Sequence, residues 1–137
     1  MAVVEGLIRQ ENDGTLSFGD YTLDAKAKLS DFEHDGDLYK IKTFYEITKL
    51  EKNGLFVYES VPGTAVFHME ATDREIAFEV EGKEDAQITL ELEPEKEYKI
   101  FINDTNIGKM KTNLGGKLIF SVEFDSEAPT KVKVAKL

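Results

Sequence analysis

The chain has 137 residues, 41% of them hydrophobic and 32% charged, with a net charge of −10 and no cysteine. That length carries a packed core in one domain or two very small ones, and the missing cysteine excludes disulfides, thiolate metal sites and a cysteine nucleophile. The acidity is concentrated between Phe67 and Glu97, where eleven acidic residues stand against Arg74, Lys83 and Lys96, a net of −8; such a surface repels a phosphate backbone, so nucleic acid is not an expected partner.

The opening "MAVVEGLIRQEND" has no basic start and no long apolar core, and no apolar run in the chain approaches the roughly 20 residues of a membrane helix. A cytoplasmic location is expected, with no membrane partner. "AKAKLSDF" comes nearest to a helical pattern and is short. It runs into "DFEHDGD", Asp31 to Asp37, which crowds four carboxylates around His34 and Gly36. Calcium loops supply oxygens at positions 1, 3, 5 and 7 and a bidentate Glu at 12. Asp31, Glu33, Asp35 and Asp37 fit the opening of such a loop, but position 12 is Lys42, which cannot ligate calcium. These four remain a weak calcium candidate. The adopted reading is a hairpin turn on Asp35-Gly36, a favoured type I′ pair, with the carboxylates keeping the turn solvated. Zinc would need both histidines, His34 and His68, plus carboxylates. No cofactor is expected.

"LYKIKTFYEITKL" reads as one long strand, with Tyr39, Ile41, Tyr45 and Ile47 on one side and Phe44 among the polar residues opposite. The Asn53-Gly54 turn then leads into "GLFVYESV", giving a long hairpin over residues 38–61. In its second strand Phe56 and Tyr58 lie opposite Leu55, Val57 and Val61, so both faces are apolar. Phe44, Phe56 and Tyr58 are therefore expected to form an interface, with a second copy of the chain or another protein as partner. A boundary is placed at Pro62-Gly63, dividing the chain into an N-terminal β-hairpin domain, 1–62, and a second domain, 63–137.

Beyond that boundary the period is two. "EIAFEVE", "QITLELE", "YKIFI" and "KLIFSVEF" each alternate one apolar and one wet face, the mark of antiparallel strands. His68, in "VFHMEA", sits between apolar neighbours and reads as a structural histidine. "NIGKMK" and "NLGGK" read as glycine-containing turns, and "TKVKVAKL" as an edge strand with lysines facing water. No serine lies in a Gly-x-Ser-x-Gly elbow, and no catalytic residue is assigned. "LEPEKEY" sets Leu92, Pro94 and Tyr98 at the spacing of a tyrosine corner, where a buried Tyr bonds its hydroxyl to the backbone just upstream. On this motif and the strands after it, residues from about 67 to 135 resemble an Ig-like or fibronectin type III sandwich, so the second domain, 63–137, is expected to be Ig-like. The expected fold class is thus all-β, antiparallel, hairpin-rich first and Ig-like after.

The stretch "FEHDGDLYKIKTF" with "KNGLFVYESVPGTAV" resembles a small bacterial all-β family sometimes labelled endosialidase. The resemblance implies a glycan-related setting and raises the possibility of carbohydrate-active chemistry. Sialidases grip the sugar carboxylate with an arginine cluster, whereas this chain has only Arg9 and Arg74, and it has no tryptophan for an aspartate-box turn. The function expected is therefore non-catalytic self-association or protein binding. The alternative is a glycan-binding accessory module, using Tyr21, Tyr39, Tyr45, Tyr58 or Phe56 to stack on sugar faces.

Overall fold

A computed structural model describes residues 2–124 and 128–137. It is all-β. The strands are β1 (Ile8–Gln10), β2 (Leu16–Phe18), β3 (Ala27–His34), β4 (Asp37–Phe44), β5 (Ile47–Lys52), β6 (Leu55–Val61), β7 (Ala65–Ala71), β8 (Glu75–Glu81), β9 (Ala86–Glu91), β10 (Glu97–Ile102), β11 (Thr105–Lys111), β12 (Lys117–Val122) and β13 (Thr130–Lys136). They form two antiparallel sheets, ordered β1-β2-β7-β8-β13-β10-β11 and β12-β9-β6-β5-β4-β3. Among the described residues no helix is long and apolar enough to cross a membrane.

Alternation along the strands sets the inner faces. Ile76, Phe78 and Val80 of β8 and Val132 and Val134 of β13 point inward from the first sheet, and Ile88 and Leu90 of β9 with Leu118, Phe120 and Val122 of β12 from the second. Tyr58 of β6 inserts between two rings of the opposite sheet, edge-on to Phe18 at 5.4 Å and to Phe78 at 5.7 Å. Burying a large apolar side chain contributes about 1.5–3 kcal/mol, and edge-to-face contacts add to that.

This packing corrects the division at Pro62-Gly63. β2 pairs with β7 and β6 with β9, so each sheet takes strands from both sides of the expected boundary. One core cluster runs from Ile8 to Val134. A chain whose first and second halves share both sheets and one core cannot be cut there without baring strand edges.

Three further expectations are corrected. "LYKIKTFYEITKL" is a hairpin rather than one strand, because it folds back at Tyr45-Glu46, with Phe44 opposite Ile47. "NIGKMK" is most of β11, an edge strand whose residues are all exposed, with a register shift against β10 between Asn106 and Gly108. "TKVKVAKL" supplies β13, which lies inside its sheet between β8 and β10; Lys131 and Lys133 do face water, but on the open face of an interior strand.

A buried hydroxyl network fixes the register of β4, β5 and β6. Thr43 and Thr48 bond through their hydroxyls at 2.8 Å, and the Thr48 hydroxyl donates to the Thr64 carbonyl at 2.7 Å. The Thr64 hydroxyl in turn meets Tyr58 at 2.8 Å and Ser60 at 2.7 Å. Burial pushes the Tyr58 phenol well above its ordinary range. Each of these groups is buried, so each needs a partner.

Candidate functional site

A cleft of about 590 Å³ lies at one end of the two sheets. Its four main walls are His34–Asp37 between β3 and β4, Lys52–Leu55 between β5 and β6, Ala71–Glu75 between β7 and β8, and Glu91–Glu93 after β9, with Gly14 of the β1–β2 tip beside them.

The sequence orders these tips locally. Asp35 and Gly36 both have positive φ, 51° and 82°, as do Asn53 and Gly54, 51° and 79°. That is the backbone of a type I′ turn, which these residue pairs adopt at low cost. Asn53 then fastens one tip to the other. Its side-chain oxygen accepts from the Leu38 amide at 2.9 Å, and its side-chain nitrogen donates to the Asp37 carboxylate at 2.8 Å. The Asn53 bond, reinforced by Lys52 at 3.4 Å, holds the Asp37 carboxyl below its ordinary range. At the β7–β8 tip the Thr72 hydroxyl accepts from the Arg74 and Glu75 amides.

The fourth wall is the tyrosine corner. Tyr98 is 4% exposed, and its hydroxyl accepts from the Glu93 amide at 3.1 Å, within the Leu92–Pro94 span named from the sequence. The Thr112 hydroxyl donates to the Glu93 carbonyl at 2.6 Å, so residue 93 is held through both its N–H and its C=O. Glu93 itself pairs with Lys136, whose bond and charge hold the Glu93 carboxyl below its ordinary range.

The cleft floor is apolar, with Leu16, Met69, Ile76 and Tyr98 buried in it. Two aromatic rings, Tyr39 and Phe56, line it as well. Its charged lining is mostly acidic: Asp35, Asp37, Glu70, Asp73, Glu75, Glu91 and Glu93 against Lys52 and Arg74. Glycosidic proton donors need a raised carboxyl pKa; the shifts of Asp37 and Glu93 run the other way.

The calcium candidates do not converge. Asp31 is exposed at a bulge in β3 with φ 59°, Glu33 is exposed, Asp35 is in the turn, and Asp37 is tied to Asn53. Among the described residues no group of three or more His, Asp or Glu side chains could hold a metal ion. His34 is buried, and its Nδ1 lies 2.9 Å from the Gln10 side-chain oxygen, which joins β1 to the turn. His68 departs from the structural reading: a bulge in β7 turns it outward at φ 55°, half exposed, with Nδ1 3.1 Å from the Thr15 hydroxyl and 3.4 Å from Asp13. Both contacts use the same nitrogen, so Thr15, His68 and Asp13 do not make the relay in which a histidine bridges nucleophile and acid.

The three interface candidates are separated. β6 carries an extra residue at Val57, so that Phe56 pairs with Glu51 and Tyr58 with Leu50. The bulge puts two side chains of expected common face on opposite faces. Tyr58 is fully buried, whereas Phe56 lies outward with the Lys117 ammonium 3.8 Å from its ring centre. Phe44 stacks edge-on against Tyr45 at 5.2 Å. The expected patch of three rings is therefore corrected to two separate, partly covered rings. What sequence reasoning missed, Asn53 as the clasp and Met69 and Arg74 as cleft lining, carries no local signal, because the cleft is assembled from tips far apart in the chain. No family model matches this chain, and no curated protein or solved structure matches it either.

Proposed function

We propose that the protein is a non-catalytic binding module and that the end cleft takes a neutral carbohydrate. The observation that carries this is the lining: Tyr39, and the outward-lying Phe56 with Lys117 over one part of its ring, at the edge of an apolar floor under a rim of carboxylates. Aromatic rings stack on the apolar faces of sugars, and carboxylates accept hydrogen bonds from sugar hydroxyls. The acidic excess of the rim disfavours an anionic sugar. The resemblance to proteins labelled endosialidase agrees with a glycan-related setting. Titration of neutral and uronic-acid oligosaccharides, followed by backbone amide shifts, tests the reading. Shifts confined to the four cleft walls, given by neutral sugars and lost in Tyr39→Ala and Phe56→Ala, support it. No shift with any neutral sugar, or shifts unchanged in both variants, defeats it.

Self-association is a second reading, and a different surface favours it. β11 ends its sheet, all its residues are exposed, and Ile107 and Met110 on it and Leu114 beyond it are exposed apolar side chains. An edge of this kind pairs with another strand. Light scattering on the intact chain and on Ile107→Lys separates the outcomes: a dimer that the variant dissociates supports the reading, and a monomer mass near 15.5 kDa for the intact chain removes it.

A further inference from the structure

The outer face of the second sheet carries an arrangement that the cleft does not use. Lys28 of β3, Lys42 of β4 and Lys49 of β5 stand directly opposite one another across three neighbouring strands. Lys40 lies two residues along β4, on the same face and opposite Glu51. Directly opposed side chains on adjacent strands are about 5 Å apart at Cβ, and like charges there destabilise the sheet. In a chain of net charge −10, three ammoniums in one cross-strand row are contrary to the overall balance.

The four lysines surround a hollow of about 70 Å³ whose lining also includes Glu51. Glu51 is partly engaged by Lys49, at 3.7 Å. Burial, and after it the ammoniums of Lys26, Lys49 and Lys28, hold Lys42 below its ordinary range. The row thus sets Lys42 between two opposed ammoniums, a like-charge contact that a bound anion relieves.

We propose that this hollow is an oxyanion site and that its ligand presents a phosphate group of two or more negative charges. The volume fits a single oxyanion rather than a polymer. A long polyanion would also run over Glu46 and Glu59, which flank the row: Glu46 sits in the β4–β5 turn, and Glu59 is paired with Lys49 on β6. Ammoniums that approach from three strands can each donate to a different oxygen of a tetrahedral anion. The site lies on the face opposite the core and shares no lining residue with the carbohydrate cleft, so it stands or falls without it.

The phosphate group could belong to a free compound or to a lipid headgroup, and the test has an arm for each. Inorganic pyrophosphate is titrated into the intact protein at low ionic strength, against chloride at matched ionic strength, and vesicles with and without phosphatidic acid are used in sedimentation. The expected result is amide shifts on β3, β4 and β5 and a raised melting temperature with pyrophosphate. Affinity should fall about tenfold in Lys42→Gln and in Lys49→Gln, and stay unchanged in Lys83→Gln, which alters an exposed lysine elsewhere. Lys42→Gln, which removes a lysine opposed by lysines on both sides, should melt no lower than the parent without ligand; this separates lost binding from lost folding. Vesicle binding that depends on phosphatidic acid and on Lys42 assigns the headgroup, and pyrophosphate binding alone assigns a free phosphate compound. If neither probe binds, or if binding is the same in Lys42→Gln and Lys83→Gln, the proposal is wrong.

Discussion

Replacing Tyr98 by Phe removes one oxygen from the chain and tests how the cleft wall is held. The ring stays buried, so the apolar contribution is kept, and the loss is confined to the 3.1 Å bond from the Glu93 amide. A buried hydrogen bond contributes about 1 kcal/mol net, and a donor left without a partner costs up to about 3 kcal/mol. Glu93 is an exposed residue and its carbonyl keeps the Thr112 bond, so the lower part of that range, about 1–1.5 kcal/mol, is expected. With unfolding entropy near 2.1 cal/mol/K per residue, a domain of this length should lose roughly 3–5 °C in melting temperature. Denaturant titration gives the free energy, and hydrogen exchange should show the Glu93 amide selectively less protected. Tyr98→Ala, which also empties the ring site, should cost about 3–5 kcal/mol. The reasoning fails if Tyr98→Phe melts with the parent and the Glu93 amide exchanges at its original rate.

Gly116 has φ 81°, and a Cβ there would run into the Leu92 carbonyl oxygen; Gly116→Ala should therefore cost at least about 2–3 kcal/mol by denaturant titration, well beyond an exposed Gly→Ala change. Phe56→Asp should leave the fold intact by circular dichroism, because the ring lies outward, whereas Tyr58→Asp should give no cooperative transition, since an unpaired charge would stand at the centre of the core. Asp37 and Glu93 have depressed folded pKa values, so their stabilising contribution is complete above the unfolded carboxylate pKa near 4 and is lost as pH falls through the folded values; Glu93→Gln should flatten the acid limb of a melting-temperature profile below about pH 4 and change little at neutrality. Melting curves with millimolar calcium and with chelator should overlay, because a site with Kd near 10⁻⁵ M would add about 2.7 kcal/mol at 1 mM calcium, and the Asp31–Asp37 carboxylates do not converge.

The all-β class was legible because alternation reports a local fact, namely that each strand has a dry and a wet face. β8, β9, β10 and β12 follow their written pattern, and the Asp35-Gly36 and Asn53-Gly54 turns lie where residues tolerant of positive φ stand. Alternation does not say which strand is the neighbour. That is why β13, with lysines on one face, was read as an edge although it lies inside its sheet. Bulges are equally silent: one extra residue at Val57 moves Phe56 and Tyr58 to opposite faces without any Gly or Pro to announce it. The Tyr45-Glu46 turn likewise lacks a turn-forming residue pair. The cleft could not be read at all, since its walls come from tips that meet only when both sheets are stacked.

The interior position of β13 also bears on the order in which the molecule can assemble. The hairpins β7–β8 and β10–β11 are short-range structures that can close as soon as they are synthesised, yet β8 and β10 each keep a bare edge until residues 130–136 arrive between them. Joining them is a long-range event, slow by the usual dependence of rate on sequence separation. On a ribosome the first sheet therefore waits, half made, until nearly all of this sequence has emerged. During that interval the open edges of β8 and β10 are matched to a strand of alternating Lys and Val, and the same segment of a neighbouring chain would fit them equally well. High local concentration during synthesis, more than any weakness of the finished fold, is where this protein is exposed to strand exchange.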